Sequence, residues 1–111
     1  MSGFEDGAKA YEAEDYAKAL EIWTKTAADG DLESKYFLGL MHANANGVEQ
    51  DFEKALELFT PAAEDGHTEA EYSVGVIHHI GLGMEPDAAE AAYWYAKAAD
   101  MADIQTQLTC F

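Results

Sequence analysis

Arginine is absent from this sequence and lysine is scarce: six basic residues stand against 22 acidic ones, a formal charge of −16 over 111 residues. A surface this negative repels phosphate backbones and anionic lipid headgroups, so it excludes nucleic acid and membrane faces as partners. The lack of guanidinium groups also removes the bidentate grip that phosphopeptides and peptide carboxylates require. Cysteine occurs once, at Cys110, so no disulfide forms within the chain, and the pattern suits a reducing compartment. The opening MSGFEDGAKAYEAEDYAK has no apolar signal core, and no run approaches the ~20 apolar residues of a membrane span. The expected location is the cytoplasm, or the periplasm or exterior where a signal peptide has been removed.

What is present is a repeating globular sequence. A hydrophobic fraction of 49% excludes a disordered tail, and 111 residues make one domain with a single continuous core. Residues 34–66 read SKYFLGLMHANANGVEQDFEKALELFTPAAEDG and residues 70–102 read AEYSVGVIHHIGLGMEPDAAEAAYWYAKAADMA. An offset of 36 pairs Tyr36 with Tyr72, Gly39 with Gly75, His42 with His78, Gly47 with Gly83, Asp51 with Asp87 and Phe59 with Tyr95. Run backwards, it pairs Asp51, Lys54, Ala55, Phe59, Ala63 and Gly66 with Asp15, Lys18, Ala19, Trp23, Ala27 and Gly30.

Each unit reads as two helices. In the second unit Asp31 caps a first helix with Tyr36, Leu40 and Asn44 on one face and Leu38 and His42 on another. Asn46-Gly47 ends it. Asp51 caps a second helix with Ala55, Leu58, Phe59 and Ala62 at helical spacing, closed by Gly66. Pro61 inside that helix removes the hydrogen bond to the Glu57 carbonyl and is expected to bend it. The third unit starts from Thr68, where Thr68 and Glu71 match a capping box, and Asp87 caps its second helix behind Pro86. In the first unit Gly7 is the partner of Gly39 at a spacing of 32, so four loop residues are missing and the helix runs into a tight turn at Ala13–Asp15.

GLMHANANGVEQDFEKALELFTPAAEDG and VGVIHHIGLGMEPDAAEAAYWYAKAADMA resemble Sel-1-like repeats, a branch of the tetratricopeptide superfamily. That family's pattern runs A-x-x-x-L-G-x-x-Y-x-x-G-x-G-V, then D, then A-x-x-W-Y-x-K-A-A. FEDGAKAYEAEDYAKALEIW is similar to a plain tetratricopeptide repeat. His42 and His78 stand where the family has tyrosine, Ala45 replaces its first loop glycine, and Met101 and Ala102 replace the terminal Asp-Gly. The resemblance implies an all-α fold: a short right-handed α-solenoid of stacked antiparallel helix pairs, with a C-terminal capping helix. Its units are 1–30 (tetratricopeptide-like), 31–66 and 67–102 (Sel-1-like) and the cap 103–111.

This register assigns roles. In AAYWYAKAAD, Tyr95 and Trp94 are expected in the core and Tyr93 exposed, so the stretch is packing and not a stacking platform. The resemblance implies a concave binding face built from the first helices. It comprises Glu33, Tyr36, Leu40, Ala43 and Asn44 in the second unit, and Glu69, Tyr72, Val76, His79 and Ile80 in the third. The first unit adds Phe4, Ala8, Tyr11 and Glu12. His42 and His78 occupy equivalent positions but show no metal-ligand spacing; they are read as core residues hydrogen-bonded locally, and no metal or cofactor is assigned. No Ser-His-Asp set can be placed among Ser2, Ser34 and Ser73, and Cys110 has no identifiable base.

The expected function is a scaffold or adaptor that captures a basic or apolar peptide or partner helix over Tyr36, Leu40, Tyr72 and Val76. A second reading is a self-associating homodimer through Ile104, Leu108 and Phe111. A hydrolase comes a distant third, since related repeats assigned such activity carry paired cysteines that this chain lacks.

Overall fold

The computed structural model describes residues 3–109, and their side chains over 3–99. It contains six helices among the described residues: α1 (Phe4–Glu12), α2 (Tyr16–Ala28), α3 (Leu32–Asn44), α4 (Phe52–Glu64), α5 (Thr68–Ile80) and α6 (Ala88–Thr109). Each packs chiefly on the helix before it and the helix after it, the nearest-neighbour pattern of a helical repeat.

The starts follow from short polar side chains that satisfy otherwise orphaned backbone donors. Asp15, Asp31, Asp51 and Asp87 accept from the N–H of Lys18, Ser34, Lys54 and Glu90 at 3.3, 3.0, 3.0 and 3.1 Å. The capping box expected at Thr68 and Glu71 is absent. The cap of α5 is His67, whose Nδ1 accepts the Ala70 N–H at 3.1 Å, while Thr68 is already helical and Glu71 is turned into the protein. His67 stands 36 residues after Asp31, so an imidazole nitrogen does the work that a carboxylate does in the preceding unit.

Two clusters form the core. One gathers Ala10, Ala19, Ala27, Leu38 and Met41 around Trp23. The other joins Phe59, Ala62 and Ala63 of α4 to Ala70, Val74 and Ile77 of α5 and to Trp94 of α6. Trp23 Nε1 donates to the Phe4 carbonyl at 3.1 Å, tying the start of α1 to α2. The tight turn after α1 is present, with Glu14 in the left-handed region at φ 60. Helix α4 passes through Pro61 without interruption.

Several expectations change. Residues 103–109, within the segment expected as a C-terminal cap either separate from or continuous with the helix before it, run on from α6 without a break, Met101 and Ala102 supplying no glycine to stop the helix. The side chains of Ile104 and Leu108, and all of Cys110 and Phe111, lie outside the described residues. Trp94 is buried and Tyr93 exposed, as expected, but Tyr95 is only half-buried: α5 covers one face of its ring and the rest is open. At His42 and His78 the local hydrogen bonds come from the backbone. Their carbonyls accept the N–H of Asp51 and Asp87 at 2.9 and 2.8 Å, while His78 Nδ1 is buried without a partner among the described residues.

Candidate functional site

A concavity of about 940 Å³ lies along α5 and α6 among the described residues and is closed at one end by Tyr36 of α3. Helical spacing on α5 builds its floor, since Tyr72, Val76, His79 and Ile80 recur at three- and four-residue steps along one face. Tyr72 and Ile80 are 58% and 59% exposed, although each is a large apolar residue. Tyr95, Ala98 and Ala99 of α6 form the facing wall, the alanines leaving the groove open.

Of the concave-face residues expected from the sequence, Tyr36, Glu69, Tyr72, Val76, His79 and Ile80 share this groove. Leu40 and Ala43 pack instead on the core around Phe59. Phe4 stacks on Trp23 at 5.6 Å between ring centroids, and Tyr11 donates its hydroxyl to Asn46 Oδ1 at 3.1 Å. Both are thus engaged within the protein, by Trp23 of their own unit and by Phe37 and Asn46 of the next. Ala8 packs with them around Trp23, while Glu12 and Asn44 are exposed away from the groove. Sequence reasoning missed Tyr95, Ala98 and Ala99. Their register matched the buried Phe59, Ala62 and Ala63; Ala98 stays buried like Ala62, while Tyr95 and Ala99 are opened on the free side of α6.

The groove is polarised. At its Tyr36 end, oxygens of Glu33 and Glu69 and an imidazole nitrogen of His67 lie within 4.8 Å of one another. His67 stacks on Tyr36 at 4.9 Å and its Nε2 hydrogen-bonds Glu33. Its tautomer follows from its neighbours. Nδ1 accepts a backbone N–H, so the ring proton sits on Nε2 and is donated to Glu33. While it caps α5 in this way, His67 has no free lone pair for a metal ion, and its bond to Glu33 clamps the start of α5 to α3 with Glu69 beside the pair. Burial, and then the carboxylates of Glu69 and Glu33, push the Tyr36 phenol above its usual value, with the Ser73 hydroxyl pulling the other way. At the other end His79 Nδ1 and the Tyr95 hydroxyl share a hydrogen bond at 3.2 Å, and the Tyr72 and Tyr95 rings lie 5.5 Å apart. Burial, and then Tyr72, raise the Tyr95 phenol as well.

A second, smaller cleft of about 350 Å³ lies over α2, α3 and α4; Lys35, Lys54 and His42 line it beside Leu38, Leu58 and Pro61, with Glu57 3.9 Å from the Lys54 ammonium. Burial, and then Lys54, hold the His42 imidazole below its ordinary value, against the pull of Asp51.

The family model of the Sel1 repeat matches residues 3–31, 32–67 and 68–103. The structure is similar to that of a Sel1 repeat protein from Oxalobacter formigenes, with 28% identity and a TM-score of 0.82 over 86% of this chain and 40% of that one. It is also similar to c5321, a protective antigen present in uropathogenic Escherichia coli strains displaying an SLR fold. There the identity is 30% and the TM-score 0.74, over 77% of this chain and 18% of that one. The chain therefore spans less than half the length of either protein. No curated protein matches it by sequence. Three consecutive repeat matches laid over helix pairs that pack on their neighbours lead to one conclusion: the chain belongs to the Sel1 repeat family.

Proposed function

We propose that this chain is a non-catalytic interaction module that captures a segment of a partner protein in the groove between α5 and α6. Sel1 repeat proteins serve as scaffolds for protein–protein interaction, and this groove is where the present chain leaves apolar surface uncovered. The observation that carries the reading is the exposure of Tyr72 and Ile80, two turns apart on α5, inside one concavity of about 940 Å³. The groove suits a helix or extended segment that inserts two or three apolar side chains.

The test is a pull-down from native lysate with the Tyr72→Ala, Ile80→Ser variant as control. Both residues are exposed, so the variant keeps the fold, whereas Tyr36 supports the rings of Phe59 and Phe37 and is a poorer choice. A protein retained by wild type and lost from the variant, with circular dichroism unchanged, supports the reading. Equal retention by both overturns it.

A further inference from the structure

Resting on that reading of the groove as the capture surface, we infer that the bound segment presents a lysine or arginine side chain, laid over the tyrosine rings with its charge at the Glu33–Glu69 end. Three features of the groove point there.

The first is an uncompensated pair of carboxylates. Glu33 and Glu69 approach each other at the Tyr36 end, and the only basic group within their cluster is His67, whose Nε2 proton is already given to Glu33. Glu69 has no cationic partner among the described residues. The second is where the lysines are. Lys35 and Lys54 line the other cleft, Lys9, Lys18 and Lys25 lie along α1 and α2, and Lys97 sits over Tyr93 and Trp94 on another face of α6. None of the six lines the groove, so the groove holds negative potential that the chain itself does not neutralise.

The third is the lining. Tyr36, Tyr72 and Tyr95 present rings to one space, and tyrosine faces attract ammonium and guanidinium groups while their edges pack an alkyl stem. A neutral or acidic occupant reaching the Tyr36 end strips water from Glu69 without replacing it, or meets it with like charge. A cationic side chain instead satisfies the rings and the carboxylates together. Its counterpart within the chain is Lys97, whose Nζ stands 5.0 Å from the Trp94 ring centroid and 5.4 Å from that of Tyr93.

The experiment is selection of displayed random 12-residue peptides on the whole chain, with prior depletion on the Tyr72→Ala, Ile80→Ser variant. That variant carries the same charge, so depletion removes peptides drawn only by the overall negative field. The expected survivors are enriched about threefold in lysine and arginine and depleted in aspartate and glutamate. The best of them then loses about tenfold in affinity on Glu69→Gln and nothing on Glu21→Gln, an equal charge change on α2. Raising salt from 50 to 500 mM weakens it in wild type more than in Glu69→Gln. Survivors without basic residues, or affinity indifferent to Glu69→Gln, overturn the cation while leaving the groove as the capture surface. Selected peptides that bind the Tyr72→Ala, Ile80→Ser variant as well as wild type overturn the groove itself.

Discussion

The ring of Phe59 in α4 rests on Gly39 in α3 so closely that a Cβ on Gly39 would stand 2.6 Å from Phe59 Cε1. The same relationship recurs between Tyr95 and Gly75, at 2.7 Å, and between Trp23 and Gly7. Every described helix pair is thus closed by an aromatic ring seated on a glycine. Gly39→Ala gains about 1 kcal/mol in helix propensity. It then overpacks a site with no room, at about 1–3 kcal/mol. The expected result is a net loss of up to about 2 kcal/mol in urea unfolding. Phe59→Leu makes space, so the double variant is more stable than the two single losses together imply. Additive losses would mean that the ring and the glycine do not meet.

Ala45 ends α3 in the left-handed conformation, at φ 57, where its counterpart Gly81 ends α5 at φ 80. A Cβ in that region crowds the following carbonyl, at about 1 kcal/mol. Ala45→Gly is therefore expected to raise stability by about 0.5–1 kcal/mol, the relief at a left-handed helix end outweighing the larger unfolded ensemble that glycine brings. Thermal and urea midpoints that fall instead would show that Ala45 is unstrained.

These two sites show what was legible in the sequence. The repeat offset aligned the glycines with one another, the aromatics with one another, and the caps Asp15, Asp51 and Asp87, because each repeats a residue type in place; it did not show that each ring sits on a glycine. It also showed that Ala45 departs from a glycine position. It did not reveal His67 as a cap, since histidine is not a usual N-cap residue and Thr68 with Glu71 offered a more familiar pattern. Nor did it place the groove. Phe4, Tyr11 and Leu40 were equivalent by register to Tyr72, His79 and Val76, but packing on Trp23 and Phe59 consumes them, and a repeat pattern does not say which copy of a position stays uncovered.

The depressed His42 predicts a pH dependence with a definite sign. Burial and Lys54 make the folded protein favour the neutral ring. Above the ordinary imidazole value of about 6.5 both folded and unfolded rings are neutral, and this contribution is complete. As pH falls through that value, the unfolded chain takes up a proton first and the contribution drains away until the folded ring titrates too. The stability of wild type relative to His42→Gln is therefore expected to fall between pH 7.5 and 5.5. In parallel, the NMR titration midpoint of the His42 ring lies below about 6.5 and rises in Lys54→Gln. A midpoint at or above that value would contradict the assignment.

His67 does two things that substitutions can separate. It caps α5 through Nδ1 and ties that helix to Glu33 of α3 through Nε2. His67→Ala removes both and is expected to cost about 1–2 kcal/mol, the scale of a lost cap. His67→Asp restores the residue that Asp31 uses at the equivalent place, so the cap returns. It also sets a third carboxylate beside Glu33 and Glu69, in a chain whose formal charge is already −16. Its recovery is therefore partial at low ionic strength and grows as salt screens the cluster, since about 10 Å of screening length at 0.1 M shortens to about 3 Å at 1 M. His67→Asn caps without the charge, so it recovers the same stability at either salt concentration. Urea unfolding of the three variants at 50 mM and 500 mM salt distinguishes the roles. If Asp and Asn recover equally at low salt, the carboxylates of Glu33 and Glu69 do not act on position 67. If neither recovers, the stability rests on the link to Glu33 and the stack on Tyr36, and not on the cap.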